Sequence, residues 1–480
     1  MTSHRTAERF PMLVSISCTI LLLIIGLLIW NGVADELVAG LAVVIAAIAI
    51  SAIAPAAGLA GVIMALPTMQ HILPMPKGEF SLLELAILTS TVGIGINVLL
   101  ISLRSGWKHL GDLFTPAQVV VPVALLIAAT GVSLLNLATP PHTTEALREV
   151  RTVIVEPIMF LVAARMVMRR PVYRSWVGTV LMITGAAVAT YGLLQITFDL
   201  GGVQAGDVTR AIGLYSHPNN MAMFLERSLL FTIGVAIIRP RWIPVWLFVA
   251  VQSLGLFVTF SRGALVGVIV GVAVVLVFIG AWRWLAGFSA AGVIVAVIGV
   301  LLFPDRLLDV GGDGTEPTRF AIWRSSIEMI RQHPVFGVGP DQFLYQYNRR
   351  FVEPMGWPER YTSHPHNIIL DTWLRLGVLG LASFATMIIG VVWWIQRQTS
   401  FIRRDGWAIG AIAALFGGLI HGMLDNGFFV PDIAVLTWFF VAVLITVPLD
   451  QSATQHVPEP FAVDTQPKEP EWPTWEGQRR

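Results

Sequence analysis

Long apolar runs recur along almost the whole chain and constrain its fold more than any other feature. They extend from Met12 to Pro448, and each, at roughly 17–25 residues, can cross a hydrocarbon core of about 30 Å. Because that core offers the backbone no water, such runs must form helices. Only 13% of the residues are charged, whereas a soluble domain carries roughly a quarter. The sequence predicts an all-α, polytopic membrane bundle.

The runs predict about 12 to 14 spans. They lie near residues 12–30, 36–54, 57–73, 81–102, 116–136, 152–168, 176–197, 219–238, 242–260, 263–281, 285–303, 367–395, 406–424 and 431–448. The second and third are split only by Pro55-Ala-Ala-Gly58, so they form either two spans or one re-entrant element. The predicted regions are a bundle at 1–303, a loop at 304–366, further spans at 367–448, and a tail at 449–480 whose composition predicts disorder.

Basic residues in the short loops predict the orientation. With the N-terminus inside, the cytoplasmic loops hold Arg104, Lys108, Arg165, Arg169, Arg170, Arg174, Arg239, Arg241, Arg283, Arg397, Arg403 and Arg404. The opposite short loops hold Lys77, Arg148, Arg151 and Arg210. Both termini are therefore predicted to be cytoplasmic and the loop at 304–366 to lie outside.

The sequence lacks the patterns that are typical of several classes of function. The net charge is +1 and no basic stripe with interleaved aromatics occurs, which argues against nucleic acid. The chain has one cysteine, Cys18, and no His-Glu-x-x-His pattern, so we expect no metal site. A Gly-rich Lys loop for ATP is also missing. We therefore expect no cofactor.

Arg262 lies in the short turn Phe260-Ser-Arg-Gly263 between two apolar spans. It has almost no loop in which to be solvated, so it either snorkels to the interface or faces an anion inside the bundle. Gly263 would let a bulky headgroup approach the backbone.

The loop at 209–220 leads into a span at Pro218-Asn219-Asn220. Arg210, His217 and the free amides of that helix N-terminus form a candidate phosphate site. An ordinary polar loop is the alternative.

Residues 318–332 predict an amphipathic helix in the long loop. At 100° per residue, one face collects Phe320, Ile322, Trp323, Ile327, Met329 and Ile330. Arg324, Glu328 and Arg331 lie opposite, where pairing with Glu328 explains both arginines. Arg319 falls inside the apolar face, where it requires an anion. The turn at 333–340 is predicted to end this helix.

His366 lies where the long loop re-enters the membrane, in Ser363-His-Pro-His366. Pro365 suits a first helical position, so His366 is predicted in the first turn of a span. The positive helix end would then keep it neutral and able to accept a proton. His364 is a candidate for a supporting role, although a lone histidine is more often structural.

These motifs resemble the O-antigen ligase and polymerase superfamily of membrane glycosyltransferases. The matching residues are Arg210…Gly213…Pro218-Asn219, Ser261-Arg262-Gly263, Arg319…Trp323, His333-Pro334, Gly337-Val-Gly339, Phe343, and His366-Asn367 followed after nine residues by Gly377-Val-Leu-Gly380. They cover roughly residues 209–380 and separate the members of the superfamily poorly.

The resemblance implies transfer of a glycan from an undecaprenyl-diphosphate carrier on the outer face of a bacterial inner membrane, without metal or nucleotide sugar. The acceptor would be a glycan, a lipid or a protein. The family's essential histidine falls on His366, and its diphosphate-binding arginines fall on Arg262 and Arg319, with Arg210 a further candidate. Arg324 is the alternative to Arg319, and the helical-face argument favours Arg319.

A polysaccharide or lipid transporter, such as a flippase, is the second hypothesis. It predicts charges near the membrane midplane and an internal repeat. Glu84, Glu156, Glu226 with Arg227, and His421 with Asp425 are weak candidates for such charges. A membrane scaffold or sensor is a third hypothesis, which leaves His366 and the arginines unexplained.

Overall fold

A computed structural model describes residues 2–31, 37–75, 78–107, 116–205, 208–287 and 315–447, with positions 297 and 301. These residues form an all-α membrane bundle with two short antiparallel hairpins. Several predictions lie outside the described residues: the tail at 449–480, most of the span at 285–303, the loop start at 304–314, and the positions Lys77 and Lys108.

The described elements follow the predicted spans closely. The helices are α1 (Thr2–Trp30), α2 (Leu37–Ile53), α3 (Pro55–Ala65), α4 (Leu82–Ser105), α5 (Ala117–Leu135), α6 (Thr143–Glu149), α7 (Glu156–Val167), α8 (Pro171–Thr197), α9 (Pro218–Ile238), α10 (Ile243–Phe257), α11 (Arg262–Phe278), α12 (Thr315–Gln332), α13 (Phe343–Gln346), α14 (Ile368–Arg397), α15 (Thr399–Ile402), α16 (Gly406–Gly422) and α17 (Pro431–Ile445). The hairpins pair β1 (Ile72–Met75) with β2 (Gly78–Ser81) and β3 (Val203–Ala205) with β4 (Val208–Arg210).

Among the described residues, six helices are long and apolar enough to cross a membrane, and six shorter ones are apolar. The six long ones are Pro11–Trp30 and helices α4, α5, α8, α9 and α14. The predicted pair at 36–54 and 57–73 forms two helices, α2 and α3, separated at Ala54. The second of these predicted spans was too long, since the chain leaves the helix at Ala65 and enters a strand at Ile72.

Helix α9 lies at the centre of the bundle. Of its most apolar 18-residue segment, 83% is buried inside the protein. It packs against α16, where a Cβ on Gly234 would overlap the backbone of Gly410. Small residues allow this close approach, which is how membrane helices gain packing energy without a hydrophobic driving force between them. The N-terminal ends of α9 and α11 and the C-terminal end of α16 are thereby held together at one end of the bundle.

Helix α14 is interrupted at Gly377, whose φ of 65° is non-helical. The segment 335–339 fills the break. The amides of Val338 and Gly339 donate to the Leu374 carbonyl at 2.6 and 3.2 Å, and the Val378 amide donates to the Val335 carbonyl at 3.0 Å. The two glycine motifs of the sequence therefore meet in one backbone junction.

The helix predicted at 318–332 exists as α12 and ends at Gln332 as expected, and only part of its predicted apolar face is buried within the protein. Phe320 is 56% and Ile327 is 44% exposed. The buried positions are Thr318, Ala321, Ile322, Ser325, Ser326, Met329 and Ile330. The reason is that α12 packs on its own loop: the Ser325 hydroxyl donates to the Phe351 carbonyl at 2.6 Å, so small polar residues face inward.

Candidate active site

Four loops meet at one end of the bundle: the described residues of 198–205 and 208–217, and residues 258–261, 354–367 and 423–430. Hydrogen bonds join them. The Ala211 amide donates to the Val258 carbonyl at 3.0 Å, and the Asn367 side chain donates to the Met423 carbonyl at 3.1 Å. Loops far apart in the chain thus form one polar surface.

His366 lies two residues before the start of α14, not in its first turn as the sequence predicted. The helix begins at Ile368, and the Asn367 side chain caps it by accepting from the Ile369 and Leu370 amides at 3.0 and 3.1 Å. His366 itself has a φ of 53°, in the left-handed region. Asparagine caps a helix well, and this cap displaces His366 from the helix into the loop.

Two carboxylates hold the His366 ring. Its Nδ1 lies 3.1 Å from Asp425 Oδ1, and its Nε2 lies 3.1 Å from Glu359 Oε2. The Thr362 hydroxyl is 3.3 Å from the same Nε2. His364 joins the cluster, with Nε2 3.3 Å from Asp425 Oδ1. His366 is therefore fixed at both ring nitrogens, and Asp425 is shared by both histidines.

The pKa of His366 is raised to about 9, which contradicts the predicted neutral imidazole. Burial lowers this pKa, but the hydrogen bonds and charges of Asp425 and Glu359 outweigh it. The pKa of Asp425 falls well below its usual value: burial raises it, but hydrogen bonds from His364 and His366 prevail. The hydrogen bond with His366 also lowers the pKa of Glu359. At neutral pH the free site holds an imidazolium between two carboxylates.

Arg210 belongs to the same polar network. Its Nε donates to the Thr259 carbonyl at 2.7 Å and its guanidinium donates to Asn219 Oδ1 at 3.0 Å. The Asn219 side-chain Nδ2 in turn donates to Asp425 Oδ2 at 3.1 Å. His217 caps α9, because its Nδ1 accepts a hydrogen bond from the Asn219 backbone amide at 3.1 Å. Burial and the charge of Arg210 lower the pKa of His217, so this histidine is neutral.

Arg319 and Arg324 have different surroundings in the structure. Arg319 is half-buried, and its positive charge lowers the pKa of Glu359, the partner of His366. Arg324 is 61% exposed and pairs with Glu353 at 2.7 Å, not with Glu328 as predicted. Arg331 does pair with Glu328, at 3.4 Å. Arg319 is thus the arginine of α12 whose charge acts on a member of the histidine cluster.

Arg262 is exposed and is the first residue of α11, where Ser261 is the N-cap. A Cβ on the next residue, Gly263, would lie 2.7 Å from His421 Nε2, and His421 also contacts Glu226. Among the described residues, no hydrogen bond or ion pair joins Arg262 to the cluster of His366. The structure therefore brings Arg262 to the same end of the bundle without placing it in direct contact.

One described group of side chains has the arrangement of metal ligands: His364, His366 and Asp425, whose ligand atoms all lie within 4.8 Å of one another. The sequence predicted no metal site, and its motif search could not detect this group because Asp425 lies 59 residues after His366. Hydrogen bonds also join both histidines to the Asp425 Oδ1.

Sequence reasoning missed two carboxylates and one amide of this site. Glu359 carried no motif, and Asn219 was considered only as a helix start and as part of the motif Arg210…Gly213…Pro218-Asn219. Asp425 was noted only as a weak candidate for a charge near the membrane midplane. A signal was present for Asp425, since a carboxylate just beyond an apolar run requires a partner, but the sequence could not indicate His366 as that partner.

In a comparison with known protein families, residues 247–385 match the family model described as O-antigen ligase. These residues are similar to the O-antigen ligase family. The resemblance read from the motifs is confirmed.

A relative described as an O-antigen ligase from Salmonella typhimurium (strain LT2) is 27% identical over 252 residues, covering 48% of this chain. The chain spans 59% of the length of this curated relative. The family segment contains Arg262, Arg319 and His366, whereas Arg210 and Asp425 lie outside it.

Proposed function

We propose that this protein is a metal-independent glycosyltransferase, which moves a glycan from an undecaprenyl-diphosphate carrier to an acceptor hydroxyl. It would act as a surface polysaccharide polymerase or as an O-antigen-type ligase. One observation carries the proposal: His366 is held between Asp425 and Glu359, in a cluster that also contains Arg210 and on which the charge of Arg319 acts. The family relationship of residues 247–385 supports it.

His366 is the proposed base, with Asp425 as its orienting partner. Asp425 holds Nδ1 and leaves Nε2 to face the acceptor, which is the arrangement that orients histidine bases in hydrolases. In the free site Nε2 is bonded to Glu359. The acceptor hydroxyl would replace Glu359 there, and losing that carboxylate would lower the pKa of His366 and make the neutral base available.

The reaction balances with these groups. The acceptor oxygen bonds to the anomeric carbon while the bond from that carbon to the phosphate oxygen breaks. The hydroxyl proton passes to His366 Nε2, and the polyprenyl diphosphate leaves with the electron pair. Its growing negative charge requires fixed cations, and planar guanidinium groups bind phosphate in a bidentate manner. We assign this role to Arg262, Arg319 and Arg210.

The carrier's hydrocarbon tail has a matching groove between α14, α16 and α17. This apolar groove is lined by side chains including Phe384, Met387, Leu419 and Phe440. Ile368 and Gly427 also line it, and each lies two residues after a member of the cluster, His366 and Asp425. A tail in this groove would therefore place its diphosphate near the arginines.

Purified protein in lipid nanodiscs, given a lipid-diphosphate oligosaccharide and candidate acceptors, provides the test. We expect the wild-type protein to form a glycosidic product and His366→Ala to lose at least about 100-fold in kcat, the scale of general base catalysis. His333→Ala is the matched control, because His333 lies outside the cluster, and it should keep its activity. Products that grow by single repeats would identify a polymerase, and transfer of whole chains a ligase.

Arg262→Lys tests whether Arg262 binds the diphosphate, because lysine keeps the positive charge but lacks the planar guanidinium group that binds phosphate in a bidentate manner. We expect a loss of roughly tenfold or more in kcat/KM for the donor. Near-normal activity would show that Arg262 only snorkels. Full activity of a stably folded His366→Ala protein would overturn the proposed mechanism.

A further inference from the structure

Two aromatic side chains stand exposed beside the histidine cluster. Trp357 is 55% and Tyr361 is 65% exposed. The guanidinium of Arg360 lies 4.8 Å from the centre of the Trp357 ring and 4.6 Å from that of Tyr361. We call these three residues the 357–361 surface. Packing does not account for it, since burying such rings would give a large hydrophobic gain that the fold forgoes.

The position of this surface is set by Glu359. Trp357 and Tyr361 lie two residues before and after Glu359, whose carboxylate holds His366 Nε2 at 3.1 Å. In the proposed reaction, that nitrogen is the one the acceptor hydroxyl must reach. A molecule resting on the two rings would therefore lie next to the acceptor side of the site.

The surface is also rigid. The Gly356 amide donates to the Glu353 carbonyl at 2.9 Å, and the Thr362 amide donates to the Glu359 carbonyl at 3.0 Å. The buried Tyr347 hydroxyl donates to the Gly356 carbonyl at 3.3 Å. Arg360 is itself fixed, since its Nη1 donates to the Trp357 carbonyl at 3.2 Å. Groups held in place before binding lose little entropy when a ligand arrives.

The chemistry of the 357–361 surface matches a sugar ring. A pyranose offers an apolar C–H face and a rim of hydroxyl oxygens, so it needs a flat apolar partner and a nearby hydrogen-bond donor. Aromatic rings supply the first and the fixed guanidinium supplies the second. Tryptophan and tyrosine also collect at membrane interfaces, but the link through Glu359 to His366 favours a ligand of the site.

We propose that Trp357, Arg360 and Tyr361 bind a sugar ring of the acceptor and so present its hydroxyl to His366. This inference rests on the proposed function and names the acceptor as a glycan or a glycan-bearing molecule. It makes Trp357 and Tyr361 residues that determine acceptor specificity.

The experiment measures steady-state kinetics of the double variant Trp357→Ala/Tyr361→Ala in nanodiscs, with the donor saturating and the acceptor varied. We expect KM for a glycan acceptor to rise about tenfold or more, while KM for the donor stays within about twofold. Trp357→Phe/Tyr361→Phe should restore most of the acceptor affinity, because it keeps the flat rings. Trp107→Ala, an equally exposed tryptophan after α4, is the matched control and should change neither constant.

Binding measured without turnover separates this inference from the proposed function. An inactive His366→Ala protein should bind an acceptor oligosaccharide, and adding Trp357→Ala should weaken that binding about fivefold or more. Unchanged acceptor binding and KM would overturn the inference even if the wild-type protein transfers glycan. Quenching of Trp357 fluorescence by brominated lipids, measured as the difference from Trp357→Phe, would also overturn it and assign the rings to the membrane interface. If the wild-type protein transfers nothing, the proposed function fails instead.

Discussion

Asp425 makes hydrogen bonds with two distant parts of the chain. His366 and His364 bond to its Oδ1, and Asn219 bonds to its Oδ2. The next amide, that of Asn426, also donates to Oδ1 at 2.8 Å. A buried carboxylate is costly unless such donors surround it, so the position of Asp425 is well determined. Its charge in turn determines the protonation of His366.

Asp425→Asn should reduce kcat by about 100-fold or more while the protein stays folded, since the amide preserves shape but loses the charge that orients His366. The measurement is kcat in nanodiscs together with the thermal unfolding midpoint. Asp199→Asn, at an exposed aspartate in the loop after α8, should leave both unchanged. Wild-type kcat in Asp425→Asn would remove Asp425 from the mechanism.

Glu359→Gln should shift the pH dependence of kcat/KM to lower pH. In the free protein the two carboxylates raise the pKa of His366 to about 9, so the neutral base accumulates only as pH rises through that value. Removing one carboxylate lowers this pKa and increases the fraction of neutral His366 at neutral pH. Glu328→Gln, in the exposed pair of α12, is the control. If kcat/KM of Glu359→Gln rises at the same pH as in the wild type, or at a higher pH, the role assigned to Glu359 would be contradicted.

At the scale of single elements, the broken helix α14 explains two sequence motifs without assigning them chemistry. The turn after His333 and the glycines from Gly377 onward meet where 335–339 enters the helix. Gly377 has a left-handed φ, and a Cβ there would overlap the Val335 carbonyl oxygen. These glycines set the path by which the chain returns to His366.

Gly377→Ala should destabilise the protein by about 2 kcal/mol or more, because a side chain at positive φ is strained and this one also collides with backbone. Thermal unfolding in detergent and the fraction of protein that remains monodisperse measure this loss. Gly95→Ala and Gly131→Ala are matched controls within α4 and α5, where an added Cβ meets nothing within 4 Å. Equal stability of all three variants would show that the break carries no strain.

The apolar runs predicted the elements well and their contacts poorly. Run length and the need to satisfy backbone hydrogen bonds in lipid are local properties, so they located helices such as α9 and α14. The break at Gly377 depends on a segment about forty residues earlier, which no local pattern reveals. The same holds for the bond between His366 and Asp425, and for the rotation of α12 that exposes Phe320.

At the scale of the whole molecule, the described residues make charged contacts at both ends of the bundle. His366 and its partners lie at one end, and at the other Arg174 pairs with Asp405 while the Arg403 guanidinium lies 5.4 Å from the centre of the Phe278 ring. This division fits the orientation predicted from the basic loops, in which the second end is cytoplasmic.

Cysteine labelling in intact cells tests that orientation. In a Cys18→Ser background, a membrane-impermeant maleimide should label Tyr361→Cys directly, because that residue is exposed at the end that holds His366. Ser400→Cys, exposed after α14 at the other end, should be labelled only after the membrane is permeabilised. The reverse pattern would invert the predicted topology.

The assembly of the cluster from distant loops has a consequence during biosynthesis. Asp425 lies between α16 and α17, so the ribosome must synthesise α16 before His366 gains this partner. Until then, the nascent protein carries His366 without the carboxylate that holds its Nδ1. The proposed centre is therefore incomplete in any nascent chain that ends before Asp425.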